Sequence, residues 1–223
     1  MTAPDPTPRT ILMTGFAPFG GETVNPAWQA VQHVAAIWDG PARLEIVELP
    51  VVFGESADVL REAMRRVRPD LVIAVGQAGG RAHVTPERVA INVDDARIPD
   101  NAGNQPLNET IDPEGPAAWF TTLPIKRAVA TMRDQGIPAS VSNSAGTYVC
   151  NHIFYQLMRI IAAEFPQTRG GFVHVPFSPE QVAASGMAQP SLSVTTIAAG
   201  LTVLAHASLA NEADLALVGG AEH

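Results

Sequence analysis

The chain has a single cysteine, Cys150, among 223 residues. A lone thiol excludes an internal disulfide framework and a cysteine-based metal cluster, and it fits a reducing, cytosolic setting. Charge is also scarce: 16% of residues are Asp, Glu, Lys or Arg against 46% apolar, which supplies material for one large core. The charges sum to −8, which argues against nucleic acid or an anionic membrane as the main partner. No apolar run reaches the roughly 20 residues that cross a bilayer. The apolar stretch 192–209 is broken by Ser193, Thr195, Thr196, Gly200, Thr202 and His206 and reads as a buried core helix. Residues 1–9 carry Pro4, Pro6 and Pro8 without an apolar core, so they read as a loose arm and not as a secretion signal. A His-Glu-x-x-His or paired-carboxylate metal motif is absent as well.

What is present is an alternation of short apolar runs and amphipathic stretches. Residues 10–16, 44–52 and 70–75 read as strands, the last almost wholly apolar, as expected when both faces are covered. Asn25 and Pro26 open a helix with cap and first-turn chemistry, and residues 54–67 form a second helix. The β-α-β-α-β order predicts one α/β domain over residues 10–215, an open, twisted, mostly parallel sheet flanked by helices, with a tail at 216–223. Further strands are expected at 84–93, from Val141 and at 172–175. Helices are expected at 124–135, after Cys150 to about Glu164, and near the C-terminus. The Asp-, Asn-, Gly- and Pro-rich stretch 94–123 is long for a loop and reads as a pocket wall or lid.

Cys150 follows an apolar run and a small-residue turn and opens an amphipathic helix. Unpaired N–H groups and partial positive charge at a helix start favour thiolate and can hold an oxyanion. The bland alternative is a small buried apolar residue. A nucleophilic thiol needs a base. His152 lies two positions on and so points roughly 200° away. His33 and His206 lie in helices, His83 in a polar stretch, and His223 at the end. His174 instead falls at the carboxyl end of a strand, where sites collect in open α/β sheets. Among carboxylates, Glu87 stands in an apolar strand, where an acid is costly unless paired. Asp94 and Asp95 read as ordinary acids at a solvated loop start. The glycine clusters 15–21 and 76–80 fit neither a P-loop nor a dinucleotide fingerprint; they read as turns that let backbone approach a ligand.

Three separated blocks carry a resemblance. They are residues 76–92 with Thr85-Pro86-Glu87-Arg88-Val89-Ala90-Ile91-Asn92, residues 142–151 with Ser144-Ala145-Gly146-Thr147-Tyr148-Val149-Cys150, and Gly171-Phe172-Val173-His174-Val175-Pro176. With Thr14-Gly15-Phe16-Ala17-Pro18-Phe19-Gly20, they resemble the pyroglutamyl peptidase I family across about residues 10–210. The resemblance implies a cysteine peptidase that removes N-terminal pyroglutamate through a Cys150, His174, Glu87 triad, with no cofactor and no metal. It implies an oxyanion site from Arg97 and the Cys150 N–H, and a pocket of Phe16, Phe19, Gln77, Ile98, Tyr148 and Val149. Tyr148 departs slightly, since phenylalanine is also common there. The resemblance further implies peptide partners and a homotetramer. A nucleoside-phosphorylase-like transferase and a silent lactam-binding module are the competing readings.

Overall fold

A computed structural model describes residues 8–186, 188–210 and 212–220. Most of the expected arm (1–9) and part of the tail, including His223, lie outside the described residues. Four parallel strands form the sheet's frame: β1 (Thr10–Phe16), β2 (Arg43–Leu49), β3 (Leu71–Gln77) and β7 (Arg169–Val175). The two-residue strand β4 (Thr85–Pro86) pairs antiparallel with β7, giving the order β2-β1-β3-β7-β4.

Side-chain alternation along the strands builds two helix layers. Ile11, Met13, Ile73, Val75, Val173 and Val175 face a core shared with α1 (Pro26–Ile37), α3 (Ile125–Asp134) and α6 (Val194–Leu209). Leu12, Phe16, Val72, Ala74 and Phe172 face the opposite core with α2 (Glu55–Val67) and α4 (Val149–Glu164). Burial on both faces explains why β1 and β3 are apolar throughout. Asn25 caps α1 as its sequence predicts, its side chain accepting from the Ala27 N–H at 3.0 Å, with Pro26 in the first turn. β1 leads through α1 to β2 on one side, and β2 through α2 to β3 on the other. The chain therefore reverses direction about β1, and the carboxyl ends of β1, β3 and β7 open on one crevice.

Two expected strands differ in the structure. Residues 84–93 do not form one strand: β4 ends at Pro86, Glu87 turns inward, and β5 (Val89–Ile91) leaves the main sheet to pair with β6 (Ala118–Phe120). Pro86 has no N–H to extend the ladder. The segment before Cys150 makes only isolated bridges, Val84 to Ala139 and Glu87 to Ser142. Its small polar residues turn on themselves instead, Ser142 Oγ accepting from the Ser144 N–H and Ser144 Oγ from the Gly146 N–H. The described tail is also tied down: the Gly219 carbonyl accepts from Arg88 Nη2 at 2.6 Å.

Candidate active site

Cys150 is the second residue of α4. Tyr148 provides no side-chain cap there, so the first-turn N–H groups, that of Cys150 included, are left without an intrahelical acceptor. The thiol reaches the sheet because β3 carries a glycine where it passes. A Cβ built on Gly76 would lie 2.9 Å from Cys150 Sγ and 2.7 Å from Phe172 Cζ. In the sheet register Gly76 stands directly opposite His174. The missing side chain thus makes the space in which sulfur approaches the strand pair that carries the imidazole.

His174 is buried, and its Nδ1–H donates to Glu87 Oε1 at 2.7 Å. Phe172 packs edge-on against the ring, with centroids 4.9 Å apart. Glu87 is 0% exposed. A carboxylate so buried costs several kcal/mol unless charge and hydrogen bonds compensate it. Besides His174, Arg81 does so: its Nη1 donates to Glu87 Oε1 at 2.6 Å and to Thr85 Oγ1 at 2.6 Å, and Nη2 to the Ser144 carbonyl at 3.1 Å. Arg88, the sequence neighbour, points away to Asn143 and the Gly219 carbonyl. Arg81 was not found by sequence reasoning, because a turn residue six positions upstream carries no local sign of whom it pairs.

Burial pushes the Cys150 thiol up to about 12, the nearby Glu87 charge adding to this and Arg81 opposing it. Burial also lowers His174 below its ordinary value, with the Glu87 hydrogen bond and charge opposing and Arg81 reinforcing the shift. Both directions favour a neutral thiol beside a neutral imidazole. Desolvation therefore outweighs the thiolate preference expected of a helix start alone. No direct hydrogen bond joins the thiol to the imidazole among the described residues, although both face one cavity.

That cavity measures about 120 Å³ and is lined by Phe16, Phe19, Asn25, Val51, Gln77, Ala145, Tyr148, Val149, Cys150 and His174. Five of the expected pocket residues, Phe16, Phe19, Gln77, Tyr148 and Val149, are brought together here. Two expected residues are not: Ile98 is half-buried and Arg97 exposed on the segment after Asp94, and neither lines the cavity. A larger hollow of about 480 Å³, lined by Arg81, His83 and Ser140 to Ser144, opens outside the triad. It contains neither the thiol nor the imidazole. His83 sits there, 3.1 Å from Ser140 Oγ, which removes it as the base.

The stretch 94–123 braces the pocket without lining it. Asp100 accepts from the N–H groups of Phe53, Ala102 and Asn104 and from the Asn104 amide. Burial alone would raise this carboxyl, but those donors together hold it below the usual range. The Tyr148 hydroxyl donates to the Pro99 carbonyl at 3.1 Å, which gives that departure from phenylalanine a tethering role. Asp94 is not a solvated acid: it is 7% exposed and its Oδ2 accepts from His152 Nδ1–H at 2.7 Å. Asn151, fully buried, clamps the residues just before that stretch by hydrogen bonds to Ile91 and Val93. Asn151 and His152 sit beside Cys150 in sequence, yet both point away from the thiol, as their helical offset requires. Among the described residues no group of three or more His, Cys, Asp or Glu side chains is placed to hold a metal, and no helix is long and apolar enough to cross a membrane.

A thiol on a helix start, an imidazole on a strand end and a buried carboxylate behind it, all at one edge of an α/β sheet, describe a cysteine hydrolase. Comparison with known proteins narrows this. The family model for pyroglutamyl peptidase matches residues 9–211. The pyrrolidone-carboxylate peptidase of Streptomyces coelicolor is 59% identical over 217 residues, covering 96% of this chain and 99% of that one. A crystal structure of Bacillus amyloliquefaciens pyroglutamyl peptidase I superposes with a TM-score of 0.89 at 52% identity, over 93% of this chain and all of that one. A mutant pyrrolidone carboxyl peptidase from Pyrococcus furiosus gives 0.87 at 39% identity, over 91% and 99%. The chain belongs to the pyroglutamyl peptidase family and is a peptidase, which decides against the transferase reading.

Proposed function

We propose that this chain removes N-terminal pyroglutamate from peptides, with Cys150 as nucleophile, His174 as general base and acid, and Glu87 as the group that orients His174. The observation that carries the reading is a thiol and a carboxylate-held imidazole facing one small, mostly apolar cavity. Its volume of about 120 Å³ is close to the roughly 150 Å³ that encloses a single benzene ring, so it suits one five-membered lactam. The lactam is neutral, and among the described residues no acidic side chain lines the cavity to grip an N-terminal ammonium.

Burial favours the neutral form of both thiol and imidazole, so proton transfer accompanies attack. Sulfur forms a bond to the pyroglutamyl carbonyl carbon while the thiol proton passes to His174 Nε2. Glu87 stabilises the imidazolium that forms. The oxyanion lies at the α4 start, where the Cys150 N–H is unspent. Arg97 is the second oxyanion group that the resemblance implies. The C–N bond then breaks and His174 returns the proton to the leaving amine. Water, deprotonated by His174, cleaves the thioester and frees pyroglutamate. Cytoplasmic location and a homotetrameric assembly accompany this proposal, supported by the lone free thiol and the family resemblance respectively.

The test is release of an aryl amine from a pyroglutamyl aryl amide. Wild type turns it over, and Cys150→Ala lowers kcat by at least about 10⁴-fold, within the scale of losing a catalytic nucleophile. Unchanged turnover in that variant removes Cys150 from the mechanism.

A further inference from the structure

Gln77 is the last residue of β3 and, Cys150 and His174 apart, the polar side chain lining the cavity whose hydrogen bonding is not already spent on the backbone. Asn25, the other amide there, uses its Oδ1 on the Ala27 N–H and its Nδ2 on the Ala17 carbonyl. Which end of the Gln77 amide faces the cavity is set from outside it. The Ser178 backbone N–H donates to Gln181 Oε1 at 3.1 Å, within a capping box that starts α5 (Pro179–Ser185). A backbone N–H only donates, so this atom of Gln181 is its oxygen. Gln181 Nε2 then faces Gln77 at 3.1 Å and Glu22 Oε2 at 3.3 Å, with the Val24 carbonyl at 3.5 Å. An amide nitrogen has only hydrogens to offer, so the Gln77 atom that meets it is Oε1. Gln77 Nε2 is left with no partner among the described residues.

We infer that Gln181, outside the cavity and 4% exposed, is a positioning residue that locks the Gln77 amide with its N–H₂ turned inward, so that the pocket selects a ring bearing a carbonyl acceptor. The inference rests on the lactam substrate proposed above and adds the polarity of its anchor: Gln77 donates to the lactam C=O and does not accept from the lactam N–H. A five-membered ring without that carbonyl, such as a prolyl group, leaves the inward N–H₂ unsatisfied. Both steps follow from donor and acceptor inventory, and the relay Ser178 to Gln181 to Gln77 has a single allowed polarity.

The test compares two neutral rings, 2-pyrrolidone and pyrrolidine-2-thione, by calorimetric binding to the wild-type protein. Sulfur is the poorer acceptor, while the thione N–H is the better donor. An inward Gln77 donor makes pyrrolidone the tighter ligand by roughly 5-fold, the scale of one neutral hydrogen bond. Equal binding, or a tighter thione, overturns the inference. In Gln181→Met, which keeps the length and removes the donor to Gln77, the ratio falls toward one. KM for a pyroglutamyl aryl amide rises about 5-fold with kcat little changed. A retained wild-type ratio in a folded Gln181→Met overturns the positioning role. If that variant fails to melt cooperatively, the wild-type comparison still decides the polarity. Turnover is read separately, so a protein that orders the two rings as stated but hydrolyses no pyroglutamyl amide sinks the proposed function and leaves the amide assignment standing.

Discussion

Two histidine–carboxylate pairs of the same length lie near α4, and they differ in what the ring's other nitrogen meets. In both, ring Nδ1 meets a buried carboxylate at 2.7 Å: His174 with Glu87, and His152 with Asp94. They differ at the other nitrogen. His152 Nε2 accepts from the Gly54 N–H at 3.2 Å, at the start of α2, and Phe53 covers the ring edge-on at 5.6 Å. Its two nitrogens are therefore both spent on holding α2 and the 94–123 stretch to α4. His174 Nε2 has no such partner among the described residues, and its ring lines the cavity with Cys150. The second difference is charge: Arg81 sits on Glu87, and no such cation is paired with Asp94 among the described residues. A histidine–carboxylate pair is thus structural or chemical according to what its distal nitrogen meets, and nearness in sequence to the nucleophile decides nothing.

The sharpest way to break this comparison is to remove each ring in turn. His174→Gln is expected to lower kcat by at least about 10³-fold, within the usual range for general acid–base groups, with little change in melting. His152→Gln is expected to cost about 1–3 kcal/mol of stability, the scale of an unpaired buried polar group, with kcat reduced only a few-fold. Denaturant melts and steady-state kinetics on both variants check this, and similar kinetic losses in the two would erase the distinction. Glu87→Gln comes next, with kcat down about 10²-fold through loss of orientation and of imidazolium stabilisation. Gly76→Ala is expected to lower kcat by roughly 10²-fold, because its Cβ displaces sulfur by a fraction of an ångström to an ångström; alanine kinetics equal to wild type would show that sulfur does not need that gap.

The smallest effect is on pH. Burial holds His174 below its ordinary value, so the unfolded chain binds more protons between the folded and unfolded values. Its contribution to stability is present above about pH 6.5 and is lost as pH falls below it. With His174 as the proposed base, the same shift puts the acidic limb of kcat/KM below about pH 6.5. Arg81 lowers His174 further. Arg81→Met therefore moves that limb to higher pH, and a movement to lower pH in the measured profile contradicts the electrostatics described here.

Much of the site is legible in the sequence because its cues are local. Cys150 before an amphipathic repeat marks a helix start, His174 closes an apolar strand, and Asn25-Pro26 opens α1. These depend on neighbours within four residues. What escapes depends on distant partners. Asp94 reads as an ordinary loop acid until His152, 58 positions away, covers it. Arg81 reads as turn residue until the fold sets it on Glu87. The strand expected over 84–93 fails at Pro86 and Glu87, where a missing N–H and an inward carboxylate send the chain from one sheet to another. The Ser178-x-x-Gln181 spacing is a helix-start signature, but α5 has only 7 residues, too few for an apolar repeat to announce it. Arg97 and Ile98 follow the family pattern in sequence and are not among the residues that line the cavity.

In the proposed mechanism the sulfur of Cys150 becomes covalently acylated under the control of His174. Rapid acid quench of wild type with a pyroglutamyl aryl ester, followed by intact and peptide mass spectrometry, tests it directly. One pyroglutamyl group is expected on the peptide that contains Cys150, formed in wild type and strongly diminished in His174→Gln. Steady turnover with no such adduct at any quench time, together with turnover that persists in Cys150→Ala, would contradict it.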